Sequence, residues 1–505
     1  MEFVDQFFSN WETSPSTSPS FFHLLISGFN AKVKTSAFEK PSVKPSIVPK
    51  VKKTPNPTVA HSQQQPSSSA KAASHRPQAE LSIAVVGHID SGKSTLIGQL
   101  LVQTGCVPLH NVEKLGKEAK AIGKASFEYA WLLDESASER QRGITQDICT
   151  VQLKLKDLQV NIIDCPGHAD FVPNAIHGII QADAGVLVVD LSPGEAECGL
   201  AHQTREHLLV LKAARLTRSL VVLLNKADKI NWSASRVQEV KEKMEPILEH
   251  LGFENVHYVV ASGLKGENLL VKHTEANTET LVEALHKISP VENAHFDDKD
   301  LRIVVNDIVK SSLIQGTVCS GRIHKRDKLV LLPGNEQIAV KALFLASNEG
   351  KSLEECVSGQ NILISLAGKE QEILSTLQRG YILTAAKTAN PAVMTALFEA
   401  EIETFELPQA ITLGWQATIH MHGMQETVMI SKLFSCKSLW NASSEPSAQK
   451  SHPRLIHSEC LAVVECKLMN APIPMDLFHT HPQTGTFLLR SNGKTLASGK
   501  VTRIK

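Results

Sequence analysis

The sequence predicts an α/β domain built on a parallel sheet, then two all-β barrel domains, with a disordered tail in front. Three observations carry this. From Leu81 to about Pro290, apolar strand-like runs alternate with helical stretches, the pattern of a parallel sheet with right-handed crossovers. Beyond Asp297 only short strand-like runs occur, broken by Gly, Pro and Asn, which reads as small barrels. Before Leu81 the composition cannot build a core.

The tail, residues 1–80, has two parts. Residues 31–80 hold seven prolines with Ser, Lys, Gln and Ala, and nine Lys/Arg against Glu39 and Glu80. Such a basic stretch suits contact with RNA or an acidic partner, or is a solvated linker. Residues 1–30 carry seven of the 25 aromatics, Phe3, Phe7, Phe8, Trp11, Phe21, Phe22 and Phe29. They form a docking peptide, a cap folding onto the chain's own domain, or a start with no role.

The α/β domain is expected over 81–292, the first barrel over 298–388 and the second over 391–505. In the first barrel the runs are Leu301–Val309, Gly316–Ile323, Lys328–Leu332, Ile338–Phe344 and Asn361–Leu366. In the second they are Leu397–Phe405, Gln416–Met421, Thr427–Phe434, Glu459–Met469, Thr486–Arg490 and Ala497–Ile504, with Asn441–Pro453 a loop. At 505 residues, 42% hydrophobic and 21% charged, the chain has ample core for three domains. The nine cysteines are scattered without a C-x-x-C pair. Cys460 and Cys466 read as core residues, and the setting as reduced and cytoplasmic. No signal pattern precedes Leu81, and no apolar run is long enough to span a bilayer.

Five motifs in chain order define the chemistry. Gly87-His88-Ile89-Asp90-Ser91-Gly92-Lys93-Ser94-Thr95 follows the strand-like run Leu81–Val86. It is a phosphate-binding loop whose backbone N–H groups converge on phosphate oxygens. Lys93 would reach the β- and γ-phosphates and Ser94 would ligate Mg²⁺. Arg142-Gly-Ile-Thr145 offers Thr145 as a switch closing over Mg²⁺ and the γ-phosphate. Asp164-Cys-Pro-Gly-His168 places Asp164 at a strand end in the second shell of Mg²⁺, and Gly167 N–H towards the γ-phosphate. Asn225-Lys226-Ala-Asp228 would read guanine: Asp228 accepts from its N1 and N2 donors, Asn225 meets its O6/N7 edge, and the Lys226 stem covers its face. Ser262-Gly263-Leu264 would complete the base pocket from the main chain. Any one of the last three is also an ordinary turn; all five in sequence are not. They make this an α/β P-loop GTPase domain that binds GTP and GDP.

One such domain followed by two barrels resembles the elongation factor 1-alpha branch of translational GTPases, over about 81–505. Gly87–Asp90, Gly123–Trp131, Asp164–Phe171 and Gln203–His207 all look like that branch. Within it, Phe171-Val-Pro-Asn174 and Asn231-Trp232 look like the release-factor and Hbs-like groups, since elongation factor 1-alpha usually has Lys where Pro173 stands. Lys124–Trp131 and Arg142–Thr145 look like the Hbs-like group. That resemblance implies delivery of a Pelota-type partner to stalled ribosomes. Release-factor delivery, aminoacyl-tRNA delivery and a non-hydrolysing scaffold stay open. The partners expected are the ribosome, the Pelota-type protein and, through the tail, the exosome or its adaptor. Cys165 and Ala227 depart from the family in small ways. Gly321–Lys328 is a shorter hairpin than the family's, which puts any contact it makes in doubt. The resemblance also implies that His168 orients the attacking water, that Ile89 and Ile144 gate it, and that Arg142 is a switch residue.

Overall fold

The computed structural model describes residues 79–505, apart from 135, 156–157, 202, 215–218, 289–296, 310–312, 347, 367–373, 375, 389 and 440–449. The tail read in the sequence therefore lies outside the described residues as far as residue 78.

The α/β part has six strands: β1 Ala79–Gly87, β2 Cys149–Lys154, β3 Leu158–Asp164, β4 Ala184–Asp190, β5 Ser219–Asn225 and β6 Asn255–Val260. Their order is β2-β3-β1-β4-β5-β6. Five are parallel, and the central ones are buried on both faces, as parallel strands are. Every residue of β4 is buried. The sheet is mixed rather than wholly parallel, because β2 runs antiparallel to β3 at the edge. The sequence reading missed β2, whose exposed and half-buried residues leave little apolar signal. The helices are α1 Lys93–Gln103, α2 Leu109–Ala121, α3 Ala137–Arg142, α4 Val172–Ile180, α5 Glu195–Ala201, α6 Gln203–Ala213, α7 Ala234–Leu251 and α8 Leu281–Lys287. Apolar layers cover both sheet faces.

The first barrel comprises β7 Arg302–Val309, β8 Leu313–Ser320, β9 Arg322–His324, β10 Lys328–Leu332, β11 Glu336–Leu345, β12 Asn348–Leu353, β13 Glu355–Val357, β14 Asn361–Leu366 and β15 Ile382–Ala385. The ring β10-β15-β7-β8-β14-β11 closes through β10–β11. Strand β15, absent from the sequence reading, is needed for that closure. The second barrel comprises β16 Val393–Thr395, β17 Leu397–Thr404, β18 Ile411–Thr412, β19 Gln416–Met421, β20 Met424–Ser438, β21 Lys450–Ser451, β22 Leu455–Ile456, β23 Cys460–Leu468, β24 Ile473–Met475, β25 Thr486–Ser491 and β26 Lys494–Ile504. Here β19-β25-β26-β17-β23-β20 closes through β19–β20. Strands β8 and β17 alternate strictly between buried and half-buried residues, since a barrel wall faces a core on one side only. Of the expected loop Asn441–Pro453, residues 441–449 lie outside the described residues, and Lys450–Ser451 pairs with β20 instead. Cys460 and Cys466 are buried in the core of the second barrel, and all nine cysteines are free. Among the described residues no helix is long and apolar enough to cross a membrane.

Candidate functional site

The phosphate loop leaves the carboxyl end of β1, beside β3 and β4, where open α/β sheets place their ligands. Gly92 takes φ 91° as the N-cap of α1. A Cβ there would lie 2.6 Å from Asn225 Nδ2. Gly167 is equally constrained: a Cβ would run into Lys93 Nζ and come within 2.9 Å of the Gly87 carbonyl. These glycines let three loops meet over one cavity of about 330 Å³.

Lys93 is buried, and its ammonium donates to the carbonyls of Gly87 (3.0 Å) and His88 (2.8 Å). Burial lowers it to about 8, against the pull of Asp164. Ser94 Oγ donates to Asp164 Oδ2 (2.6 Å) and lies 3.1 Å from Thr145 Oγ1. Thr145 in turn donates to Asp134 Oδ1 (3.3 Å). Burial raises Asp164 to about 6, and burial together with the Asp164 charge raises Asp134 to about 7. Asp164 Oδ1 is buried with no hydrogen-bond partner among the described residues. Two hydroxyls and two carboxylates gathered in this way are hard oxygen donors that suit Mg²⁺. Among the described residues no cluster of three or more His, Cys, Asp or Glu forms a metal cage. A cation here would therefore take the rest of its shell from phosphates and water.

At the base end, Asn225 is a cross-brace. Its Nδ2 donates to Ser91 O (2.7 Å), and its Oδ1 accepts from Gly263 N (2.8 Å). Lys226 sits at φ 64° and donates to Asp90 O and Asp190 Oδ2, both at 2.6 Å. Asp228 accepts from Ser262 Oγ (2.7 Å). Leu264, 48% exposed, lines the cavity.

The structure thus gathers Ile89, Asp90, Gly92 to Thr95, Thr145, Gly167, Asn225, Lys226, Asp228 and Leu264 around one cavity. Asp164, Ser91, Ser262 and Gly263 are buried residues that brace its walls. Gly87 and His88 hold Lys93 through their carbonyls. His168 stands apart. It caps a short 3-10 turn, its Nδ1 accepts from Asp170 N (3.2 Å), its ring lies 5.7 Å from that of Phe171, and it does not line the cavity. Sequence reading missed Asp134, Asp190 and Phe127, which lines the cavity. One signal for Asp134 was available: it precedes the capping box Ser136–Glu139 that opens α3, and α3 leads straight to the Thr145 loop.

A phosphate loop, a hydroxyl–carboxylate cluster and a braced base pocket on a P-loop sheet define a GTPase. Residues 78–291 match the elongation factor Tu GTP-binding domain, and residues 397–502 match the GTP-eEF1A C-terminal domain-like family. Elongation factor 1-alpha of Pyrobaculum arsenaticum is 32% identical over 84% of the chain and 95% of its own length. Protein HBS1 of Drosophila melanogaster is 34% identical over 85% of the chain, which spans 64% of the fly protein. The GTPase-like domain of S. cerevisiae Ski7, bound to GDP and inorganic phosphate, shares the fold at TM-score 0.69 and 16% identity, covering 84% of this chain and 97% of that one. The chain belongs to the elongation factor 1-alpha branch of translational GTPases, with the Hbs-like resemblance its motifs showed.

Proposed function

We propose that this GTPase carries a Pelota-type partner to stalled ribosomes in the cytoplasm, and releases it when the ribosome triggers hydrolysis. The observation that carries the reading is the position of His168. It keeps its place beside Gly167, yet stands off a cavity that Ile89 and Ile144 line. Such a site binds nucleotide but hydrolyses it slowly until something reorders its loops. The likeness to Protein HBS1 supports the choice of partner.

The chain's residues divide the work. Lys93 exchanges its two loop carbonyls for phosphate oxygens. Asn225 and Asp228 read the guanine edge, and Lys226 covers its face. Thr145 closes over the γ-phosphate side, and His168 turns in to orient water. Ser94 and Thr145 would hold Mg²⁺ with Asp164 behind them; bound there, the ion neutralises charge on the β- and γ-phosphates.

The test is a pull-down from ribosome-containing lysate with a GTP analogue bound. Recovery of Pelota supports the reading. Recovery of the stop-codon factor or charged tRNA in its place overturns the partner. Intact GTP binding with no stimulation by ribosomes overturns the mechanism.

A further inference from the structure

Two loops hold the guanine end of the cavity. One leaves β5 at Asn225, passes through a 3-10 turn, Ala227–Ile230, and carries Asp228. The other follows β6 and carries Ser262 to Leu264. Three hydrogen bonds join them: Gly263 N to Asn225 Oδ1 (2.8 Å), Ser262 Oγ to Asp228 Oδ1 (2.7 Å) and Ala227 N to Ala261 O (3.1 Å). A fourth link lies farther along each loop, and it is a ring contact. The indole of Trp232 stacks on the imidazole of His273, with centroids 4.1 Å apart and planes 13° from parallel.

The backbone is bent out of its ordinary range to bring these rings together. Asn231 and Trp232 follow the 3-10 turn at φ 49° and 55°. Positive φ is an outlier for a residue as bulky as Trp, and such backbone persists only where its surroundings enforce it. Trp232 N is tied back to Ala227 O (3.0 Å), and the side chain packs on the apolar layer of the sheet. On the other loop the organiser is Asn268, fully buried at φ 59°. Its Nδ2 donates to Val260 O (2.8 Å) and Glu279 O (3.0 Å), and its Oδ1 accepts from His273 N (3.1 Å). Asn268 thus gathers the two ends of this loop and fixes the backbone of His273. The stack then joins the loop to Trp232, which stands four positions beyond Asp228.

We propose that the Trp232–His273 stack is a positioning clamp for guanine recognition: it fixes the Asp228 loop against the Ser262–Leu264 loop, so that the Asp228 carboxylate meets both the N1 and N2 donors of the base. This rests on the reading of Asp228 as the guanine contact. One Asp228 oxygen already accepts from Ser262 Oγ, so the direction of the carboxylate follows from where the two loops stand. Two donors side by side tolerate less tilt of a carboxylate than one does. Loosening the loops therefore weakens the N2 contact first. Hypoxanthine has the N1 donor and lacks the amino group at N2, so discrimination against it falls. The phosphate end is held separately by the Lys93 and Ser94 loop, so GDP and GTP weaken alike.

The experiment measures affinities of the full chain for GDP, GTP and IDP. His273→Ala leaves the indole in place and removes its partner. It should lower GDP and GTP affinity by the same factor, about 3- to 10-fold, the range a stacked ring pair carries. IDP should lose less, so the ratio of GDP to IDP affinity should fall at least about 2-fold, as in a site built to hydrogen-bond the missing group. His273→Phe keeps a ring and should keep both the affinity and the ratio. Trp232→Leu retains an apolar contact with the sheet layer and should repeat the result if His273→Ala fails to fold. An unchanged GDP-to-IDP ratio, with or without a fall in affinity, overturns the clamp. So do unequal losses of GDP and GTP, or a loss in His273→Phe as large as in His273→Ala. The base reading fails separately. A wild-type chain that does not prefer GDP to IDP removes Asp228 from the guanine edge. A wild-type preference that survives intact in His273→Ala removes only the clamp.

Discussion

Asp164 and Asp476 are both buried carboxylates, and their surroundings are opposite. Asp476, 6% exposed, accepts from Arg302 Nε and Nη2, both at 2.9 Å, and from Thr484 Oγ1 at 2.7 Å. Arg302 is 0% exposed and directs its other donors to Leu301 O, Thr384 Oγ1 and Asn390 O. The pair staples the two barrels together with no polar valence of the guanidinium left to chance. Asp164, 0% exposed, has Ser94 on one oxygen and no partner among the described residues on the other. Most buried polar groups of a folded chain are hydrogen-bonded, so an exception calls for an explanation; among the described residues such exceptions occur at this site and also away from it. The satisfied carboxylate is structure; the other, beside Ser94 and Lys93, is the one proposed to serve the nucleotide.

The largest effect belongs to a third carboxylate. Asp228 has Ser262 Oγ on one oxygen and opens onto the cavity. Against adenine it would meet no donor, and sites built in this way reject the wrong base by roughly 10⁴. The chain should bind GTP and GDP over ATP by that order in a competition assay. Asp228→Asn should turn preference towards xanthine nucleotides, which offer an acceptor where guanine offers a donor. Equal ATP and GTP affinities would remove Asp228 from the base site. Next in size is the staple. Asp476→Ala leaves a buried guanidinium uncompensated, which costs about 3–5 kcal/mol. Denaturant unfolding should show that loss for Asp476→Ala, with the two barrels no longer melting together. A loss below about 1 kcal/mol would mean that the junction is held by its apolar contacts alone.

This contrast also explains what the sequence could and could not convey. Gly87–Thr95, Asp164–His168 and Asn225–Asp228 were legible because each is a short segment whose residue types and spacing carry its chemistry, at the end of a buried strand. Strands β17 and β19 were legible from their alternation of polar and apolar residues, and β25 from its short apolar run. What was not legible depends on distant partners. Arg302 and Asp476 are 174 positions apart, and nothing local marks either as half of a pair. Arg379 sits in an unremarkable Gln-Arg-Gly stretch, and meets Asp147 only because the barrel folds back on the sheet. Asp134 lies in a polar run and acquires its place through Thr145. The antiparallel β2 and the barrel-closing β15 are short or half-exposed, so tertiary pairing rather than pattern defines them.

A functional group and a structural one should also respond differently in kinetics. His168→Ala should leave GTP affinity nearly unchanged, because the side chain does not line the cavity. Stimulated hydrolysis should fall at least roughly 10²-fold, about 2.7 kcal/mol of barrier, and the chain should stay on ribosomes with GTP bound. Surviving stimulated turnover would contradict the assignment. Acid acts on two buried histidines, by a modest amount for each pH unit. Burial holds His207 and His420 down to about 3 from 6.5, with Arg490 nearby adding to it. Their folded values lie below their unfolded ones, so between pH 6.5 and 3 the unfolded chain binds more protons. Stability is full above that window and falls with pH inside it, by about 1.4 kcal/mol per unit for each histidine. His207→Gln should remove about one proton from the slope of unfolding free energy against pH. An unaltered slope would mean that His207 takes up its proton without unfolding.

The smallest effect is the most direct test of the opening contrast. Asp164→Asn removes a buried charge that has one oxygen unbonded, while keeping the size of the side chain. In the nucleotide-free chain burial raises Asp164 to about 6, against the Ser94 hydrogen bond and the Lys93 charge, which favour its ionised form. An amide has no such charge to desolvate, and its carbonyl can still accept from Ser94. Stability of the nucleotide-free chain should therefore stay level or rise, by at most about 1 kcal/mol, as is common when a functional site is relaxed. The cost should appear only with ligand. Magnesium-dependent tightening of nucleotide should weaken, because a neutral amide attracts a cation less than a carboxylate does. Thermal midpoints of Asp164→Asn and wild type, each with and without magnesium and GDP, measure both halves. A loss in the nucleotide-free chain as large as that of Asp476→Ala would place Asp164 among the staples and end the distinction.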